Sequence, residues 1–355
     1  MEQGRGSPPP RNGEAGAVLR TGRHVVAEAN FAPRMRAVAT SHSSGAWSKA
    51  GEEFLALLRK LRVDASGGQR KPHKPLLMLL ALRRLCEDGD LHVRFVEVEE
   101  PMSRLLEVYA PPAANPQPRL PYWHLQSDGV WEIPGADSLP RGSNGKPTLD
   151  ALRATEAQIP ERYRNALLAS PTLARACVAA LLDEHFEPSL HEDVLQDVGY
   201  PEGWLSSQFA TQLIVREKGG LARDASFRER VLRAYDHRCV VTGFQATFGG
   251  AFFGIEAAHV HWHSKGGPST VDNGIPLSPT MHKLFDHGAW SLTDDRRIVV
   301  SERFSGSDEA IAMLRPLQGK PIRAPKSARD ALRIDFIRWH REPKLGGVFR
   351  WPAIA

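Results

Sequence analysis

Three short strings decide the fold of the last third of this 355-residue chain: IEAAHV at 255–260, DNGIPL at 272–277 and HKLFDHG at 282–288. The first string predicts a short strand, and the second predicts another strand that begins after Asn273. A proline suited to a first turn predicts a helix over Pro279–Phe285. The turn-rich string KGGP at 265–268 separates the strands. The expected unit is therefore strand, loop, strand and helix.

This unit carries side chains that suit phosphodiester hydrolysis. His282 and Asp286 are four residues apart and share one helix face, where an imidazole and a carboxylate can hold a divalent metal. His259 on the strand can face that metal and deprotonate a water for attack on phosphorus. The metal would stabilise the charge that develops on the phosphate. Asn273 can hydrogen-bond the loop backbone and fix the histidine.

These strings resemble the HNH nuclease family, in the branch with the pattern AAH…DNG…L…H..FD.G. The histidines and asparagine at 259, 273 and 282 are spaced by fourteen and nine residues. The resemblance implies that His259 is the general base, that Asn273 braces the loop and that His282 is a metal ligand. It places Asp286 where many relatives have another ligand. The implied cofactor is Mg²⁺ or Mn²⁺, with Ni²⁺ or Zn²⁺ as alternatives.

Two positions depart from that family pattern. Many relatives have a carboxylate or histidine directly before the base, where this chain has Ala258. Glu256 shares the strand face of residue 258 and is a candidate substitute as metal ligand. Many relatives also carry paired cysteines, but the string CVVT at 239–242 holds only one. A structural zinc is therefore not expected.

Composition places the chain among soluble intracellular proteins. Hydrophobic residues make up 41% of it, no apolar run approaches the roughly 18 residues that span a bilayer, and the N-terminus lacks a signal-peptide pattern. Lys and Arg are dense at 59–84 and 296–350, whereas residues 183–202 hold seven acidic residues and no Lys or Arg. Two basic zones suit two phosphate-binding surfaces. We expect a bacterial cytoplasmic protein that is associated with the nucleoid when bound to DNA.

The chain divides into four segments of an α+β protein. We predict a disordered basic arm at 1–45, a mixed α/β DNA-recognition domain at 46–198, a linker at 199–224 and an HNH domain at 225–355. Within the recognition domain, Leu91–Val98 is predicted as a strand. A strand pair is also predicted over Tyr122–Leu125 and Gly129–Ile133.

The recognition domain contains three strings that can contact DNA. The string RKPHKPLL at 70–77 puts basic donors at the start of an apolar helix, where anions are attracted. The string LPYWHL at 120–125 offers apolar and aromatic surface beside a loop. The string RGSNGKP at 141–147 is a basic, glycine-containing arm. Together they favour recognition of a phosphate group with an apolar neighbour.

These strings resemble the sulfur-binding domain of type IV restriction endonucleases, which recognise phosphorothioate-modified DNA. The resemblance implies that His73 and Lys74 lie near the modified phosphate. It further implies that three residues line the sulfur cavity: Leu120, Pro121 and His124. Three more would contact bases or phosphates: Ser143, Asn144 and Lys146. Relatives often have Tyr at the position of Leu120 and sometimes Arg at that of Lys74.

A sulfur-recognising pocket is chemically reasonable. Sulfur in place of a non-bridging oxygen is larger and less hydrated, so an apolar pocket accepts it at a low desolvation cost. We predict a phosphorothioate-dependent, metal-dependent DNA endonuclease whose partner is modified double-stranded DNA, with no membrane partner. A C2 homodimer would suit double-strand cleavage.

Three alternatives stay open. The first is an HNH nuclease for methylated or unmodified DNA, and the second is a DNA-binding protein whose HNH fold has lost activity. The third is an RNA-acting nuclease or toxin, which the large upstream domain disfavours.

Overall fold

The computed structural model describes residues 47–63, 71–88, 92–110, 117–143, 145–201, 203–205 and 225–354. The predicted basic arm at 1–45, the predicted contact Asn144 and most of the predicted linker lie outside the described residues. Residues 44–355 form one unit by their contacts, with two hydrophobic cores inside it. Each predicted domain, 46–198 and 225–355, contains most of one core.

The recognition half, which we name after the predicted domain at 46–198, is mostly helical. Its elements are α1 (Lys49–Arg59), α2 (His73–Asp88), β1 (His92–Arg94), α3 (Phe95–Tyr109), α4 (Arg119–His124), α5 (Leu149–Arg153), β2 (Glu156–Gln158), α6 (Glu161–Ala169), α7 (Pro171–His185) and α8 (His191–Val198). Helix α1 begins where the Ser48 side chain accepts a hydrogen bond from the Gly51 amide. Helix α7 begins at the Ser170–Pro171 pair, a serine cap followed by a proline at the first helical position.

Strands β1 and β2 pair antiparallel, with Val93 opposite Ala157. The predicted strand over Leu91–Val98 is wrong beyond Arg94, because α3 starts at Phe95. Phe95, Val98 and Met102 are all buried, and their three- and four-residue spacing suits a helix face better than a strand face. Tertiary packing therefore decided between two periodicities that overlap in this short segment.

The predicted strand pair over Tyr122–Leu125 and Gly129–Ile133 is also wrong. The first segment lies in α4 and in a 3-10 turn over Leu125–Asp128, and the second forms only an isolated bridge from Glu132 to Gln158. Side chains 121, 122 and 125 are buried while 123 and 124 are half-buried, which is a helical pattern. The Tyr122 hydroxyl donates to the Val93 carbonyl at 2.8 Å and so fixes α4 against β1.

The nuclease half, which we name after the predicted domain at 225–355, has its central elements in the predicted order. It contains α9 (Ala225–Ala234), β3 (Ala246–Phe248), β4 (Ala251–Phe253), β5 (Glu256–His259), β6 (Gly274–Leu277), α10 (Pro279–Asp286), β7 (Trp290–Leu292), β8 (Ile298–Val300), α11 (Asp308–Leu314) and α12 (Ile334–Arg341). Strands β5 and β6 pair antiparallel, with His259 opposite Gly274. The predicted strand–strand–helix unit is confirmed as β5, β6 and α10.

The two halves pack against each other through aromatic side chains. Trp262 and Trp339 belong to the nuclease half by sequence but are buried in the core of the recognition half. Tyr200 and Trp204, at the start of the predicted linker, also pack on that core. Buried aromatic area of this kind contributes strongly to a stable contact. The nuclease unit is therefore held against the recognition half by packed apolar surface as well as by the chain.

No helix among the described residues is by itself long and apolar enough to cross a membrane. One bent pair, Glu161–Ala169 with Pro171–His185, passes the same test of length and composition when the two helices are taken together.

Candidate nuclease site and sulfur pocket

Asn273 lies at the start of β6 and is fully buried. Its side-chain amide donates to the carbonyls of His261 at 2.9 Å and Pro268 at 2.8 Å, and its Oδ1 accepts from the His261 amide at 2.8 Å. These three bonds close the loop between β5 and β6. The next position requires glycine, because a Cβ on Gly274 would lie 2.4 Å from the Val231 side chain of α9. The asparagine is thus placed to brace the loop that holds the end of β5.

His259 ends β5 and is half-buried. Its ring stacks on Phe227 of α9, with centroids 4.0 Å apart and an angle of 9° between the planes. Its Nε2 lies 3.2 Å from the Ser269 hydroxyl, and its ring lies 5.5 Å from the ring of His263. The stacked ring and the hydroxyl fix the orientation of this imidazole. An oriented imidazole of this kind can act as a general base.

His282 on α10 lies between two carboxylates. Its Nδ1 is 2.8 Å from Glu256 Oε2 on β5, and its Nε2 is 3.1 Å from Asp286 Oδ2 one helical turn away. Burial alone lowers the pKa of His282, but Asp286 and Glu256 outweigh burial and raise it to about 10. The hydrogen bond from His282 is the main cause that lowers the pKa of Glu256. The cluster therefore stabilises positive charge at His282.

Asp286 is buried, and both of its oxygens are occupied. Oδ1 accepts a hydrogen bond from the Trp262 indole at 2.9 Å, while Oδ2 accepts one from the Ser189 hydroxyl in addition to its contact with His282. Burial raises the pKa of Asp286, but the charge and hydrogen bond of His282 outweigh burial and lower it. Glu187 lies nearby, and burial followed by the charge of Asp286 raises the pKa of that carboxyl.

Two atoms of this cluster are spaced as adjacent ligands of one divalent ion would be. Among the described residues no group of three or more His, Cys, Asp or Glu side chains is arranged to hold a metal ion. His282 Nε2 and Asp286 Oδ2, however, are 3.1 Å apart, and adjacent ligands each about 2.1 Å from one ion are separated by about 3 Å. Glu256 contacts the other ring nitrogen, Nδ1. The pair could share an ion, whereas Glu256 is placed to orient the ring.

The predicted sulfur-pocket residues gather around α4. Pro121 is buried in α4, and Leu120 and His124 are half-buried there. Lys74, in the first turn of α2, pairs with the Asp128 carboxylate. Burial first, and then the charges of Lys146 and Lys74, lower the pKa of His124. His124 is therefore kept neutral beside two cations and apolar side chains.

The remaining predicted contacts lie at the start of α2 and on the loop over 141–147, which precedes α5. His73 is half-buried at the first position of α2, and Ser143 is exposed on the loop. The loop closes on itself, because the Gly142 amide donates to the Lys146 carbonyl at 2.8 Å. Lys146 is near enough to His124 of α4 for its charge to lower the pKa of that histidine. Asn144 lies outside the described residues.

Several site residues escaped sequence reasoning. Asp128 pairs with Lys74, and the Arg141 guanidinium lies 5.5 Å from the centre of the Trp123 ring. Phe227 and Ser189 contact the nuclease residues. Basic composition of the 141–147 loop could have indicated Arg141, but nothing in the spacing could have indicated Ser189, which is 97 residues from Asp286.

Two family models match the chain. Residues 51–202 match the ScoMcrA-like DNA sulfur-binding domain, and residues 239–293 match the HNH endonuclease domain. The chain joins a DNA sulfur-binding domain to an HNH domain. The first match contains α4 and the predicted sulfur-binding residues, and the second contains β5, β6 and α10. The resemblances and the α+β class inferred from sequence are confirmed.

Solved structures with matching segments are distant. The sulfur-binding domain of ScoMcrA in complex with phosphorothioated DNA is 24% identical, with a TM-score of 0.37 over 41% of this chain and 94% of that one. The corresponding SprMcrA complex is 21% identical, with a TM-score of 0.34 over 42% and 93%. The modification-dependent TagI restriction endonuclease is 27% identical, with a TM-score of 0.28 over 35% and 39%. No curated protein matches the chain significantly.

Proposed function

We propose that this protein is a modification-dependent (type IV) DNA endonuclease. It binds phosphorothioate-modified duplex DNA through the sulfur-binding domain and hydrolyses phosphodiester bonds at a metal-dependent HNH site. The observation that carries the proposal is the assembly of His259, the Asn273 brace and the Glu256–His282–Asp286 cluster within one β5–β6–α10 unit. Its expected site of action is the bacterial cytoplasm, where a homodimer would cut both strands.

His259 supplies the base in the proposed reaction. Its ring takes a proton from a water molecule, whose oxygen attacks phosphorus as the bond to the leaving oxygen breaks. Stacking on Phe227 and the contact with Ser269 hold the imidazole in one orientation. Asn273 keeps the loop next to that ring in place through its three backbone hydrogen bonds. Pre-orientation of this kind lowers the entropic cost of reaching the transition state.

His282 Nε2 and Asp286 Oδ2 would hold the divalent ion, Mg²⁺ or Mn²⁺ in the first instance. When bound, the ion would stabilise negative charge on the phosphate. Glu256 would orient the ring through Nδ1, as a carboxylate behind a metal-bound histidine commonly does. We expect Glu256→Ala to weaken Mn²⁺ binding about tenfold and His282→Ala to weaken it far more. Equal losses in calorimetric titrations would instead make Glu256 a ligand.

The sulfur-binding surface combines apolar walls with cations. Leu120 and Pro121 supply apolar surface, while Lys74 and Lys146 lie near enough to lower the pKa of His124. A neutral His124 can contact a poorly hydrated sulfur, and the two lysines balance the negative charge of the modified phosphate. An ordinary phosphate oxygen at the same place would lose hydration without equal compensation. The surface therefore favours sulfur over oxygen.

The deciding experiment uses matched duplexes with and without a phosphorothioate, in Mg²⁺ or Mn²⁺. We expect tighter binding and faster cleavage of the modified duplex. Equal binding of both duplexes would contradict sulfur recognition and favour a nuclease for methylated or unmodified DNA. Selective binding without cleavage in either metal would favour an inactive DNA-binding protein.

A further inference from the structure

The segment 185–193 of the sulfur-binding domain lies directly against the HNH site. It runs from the end of α7 into the start of α8, and three of its side chains, those of Glu187, Ser189 and Asp193, contact residues in or beside the nuclease cluster. The Ser189 hydroxyl donates to Asp286, and Asp193 contacts Lys283 at 2.7 Å and His287 at 3.2 Å. This segment also holds Glu187, Glu192 and Asp193, three of the seven acidic residues at 183–202. Two of them, Glu187 and Asp193, contact residues of the other half.

Glu187 fastens the loop between β5 and β6 to the same segment. Its carboxylate accepts hydrogen bonds from the Ser264 amide at 3.1 Å and the Ser264 hydroxyl at 2.9 Å. Lys265, the next residue, donates to the His185 carbonyl at 3.2 Å. Because Trp262 lies in this loop and donates to Asp286, Glu187 holds a second partner of that carboxylate in place.

The orientation of Asp286 therefore depends on both halves of the chain. Trp262 fixes Oδ1 from within the nuclease half, and Ser189 fixes Oδ2 from the sulfur-binding domain. Oδ2 is also the oxygen that lies 3.1 Å from His282 Nε2. Without Ser189, the oxygen that faces His282 would lose the partner that defines its direction.

We propose that Ser189 and Glu187 of the sulfur-binding domain are positioning residues of the HNH metal site, so that this site is complete only when the two domains are docked. The proposal rests on the metal site of the proposed function. Ser189 acts through Asp286, and Glu187 acts through the Ser264–Trp262 loop.

The test is calorimetric titration of full-length variants with Mn²⁺. Residues that orient metal ligands typically contribute about tenfold or more to metal affinity, so Ser189→Ala should raise the dissociation constant about tenfold. Ser189→Thr, which keeps the hydroxyl, should restore most of that affinity. Asp193→Asn is the matched control, because it weakens the same interface at Lys283 and His287 without touching Asp286. It should change the affinity less than twofold.

The outcomes separate this inference from the proposed function. If His282→Ala binds Mn²⁺ as tightly as the unaltered protein, the proposed metal site itself is wrong. If His282→Ala loses binding while Ser189→Ala keeps it, the metal site stands and the positioning role is overturned. Equal losses in Ser189→Ala and Asp193→Asn would also overturn it, because docking in general would then explain the effect. Metal-free melting temperatures establish that each variant is folded.

Discussion

His282 in the HNH domain and His124 in the sulfur-binding domain are the same residue type in opposite surroundings. His282 contacts the carboxylates of Glu256 and Asp286, which raise its pKa to about 10 against the effect of burial. His124 lies near Lys146 and Lys74, which together with burial lower its pKa. The first environment stabilises a cation and the second an anion. The charges around the two imidazoles therefore suit the two different ligands that we propose, a metal cation at His282 and a phosphate group near His124.

The strongest way to separate the two sites is His259→Ala. Loss of a general base typically slows a reaction by about a hundredfold to ten-thousandfold, so cleavage should almost cease. Binding of modified duplex should stay within twofold of the unaltered protein, because His259 lies in the nuclease half. Single-turnover cleavage at saturating Mn²⁺, together with a binding titration, measures both. Near-normal cleavage by this variant would remove His259 from the reaction.

The sulfur pocket should be disrupted by Pro121→Asp. An added carboxylate would repel the modified phosphate and hydrate the apolar wall, so the preference for sulfur should fall to a ratio near one. The measurement is the ratio of dissociation constants for modified and plain duplexes at fixed salt. Pro134→Asp, at an exposed proline, is the control. Because Pro121 is buried, Leu120→Asn tests the same wall if the first variant does not fold. An unchanged ratio in a folded variant would place the pocket elsewhere.

Lys74 should contribute affinity without sulfur preference. Lys74→Ala removes one proposed phosphate contact and leaves Arg62 as the partner of Asp128, so modified and plain duplexes should both bind more weakly. The slope of log affinity against log salt should decrease by about one. Lys344→Ala, at an exposed lysine outside the sulfur-binding domain, serves as the control. A selective loss of modified-DNA binding would instead make Lys74 part of sulfur discrimination.

The two histidines should affect metal-free stability with opposite dependence on pH. The folded pKa of His282 is raised from 6.5 to about 10, so its stabilising contribution is complete below 6.5 and is lost as pH rises from there to about 10. The folded pKa of His124 is lowered from 6.5, so its contribution is present above 6.5 and is lost as pH falls below that value. Melting temperatures in a chelator across this range should show it.

Two variants test which histidine causes each change of melting temperature with pH. His282→Gln should flatten the alkaline decline, and His124→Gln should flatten part of the acidic decline. If each variant shifts the whole curve without changing its shape, neither histidine is coupled to folding in the way described. A change of shape on the wrong side of neutrality would show that another group dominates that side.

The nuclease unit was predictable because its information is local. His282 and Asp286 share a face through helical spacing, and proline and glycine mark the ends of α10. The helical nature of α4 was not predictable in the same way. The string LPYWHL fits a strand by composition, but in the fold it forms α4, where Tyr122 is buried and donates to the Val93 carbonyl. The positions of Ile255–Val260 before the loop and of Asn273 after it were predicted correctly from their local sequence.

The sequence by itself determined which chemical groups are present and which of them are neighbours along one helix or strand. Tertiary structure alone decided the pairs that join distant segments: Lys74 with Asp128 across 54 residues, Glu187 with Ser264 across 77, and Ser189 with Asp286 across 97. Spacing cannot encode such pairs, because they form when apolar surfaces pack and bring polar side chains together. Trp262 and Trp339 show this packing, because both are buried in the recognition core and Trp262 also donates to Asp286 of the nuclease helix.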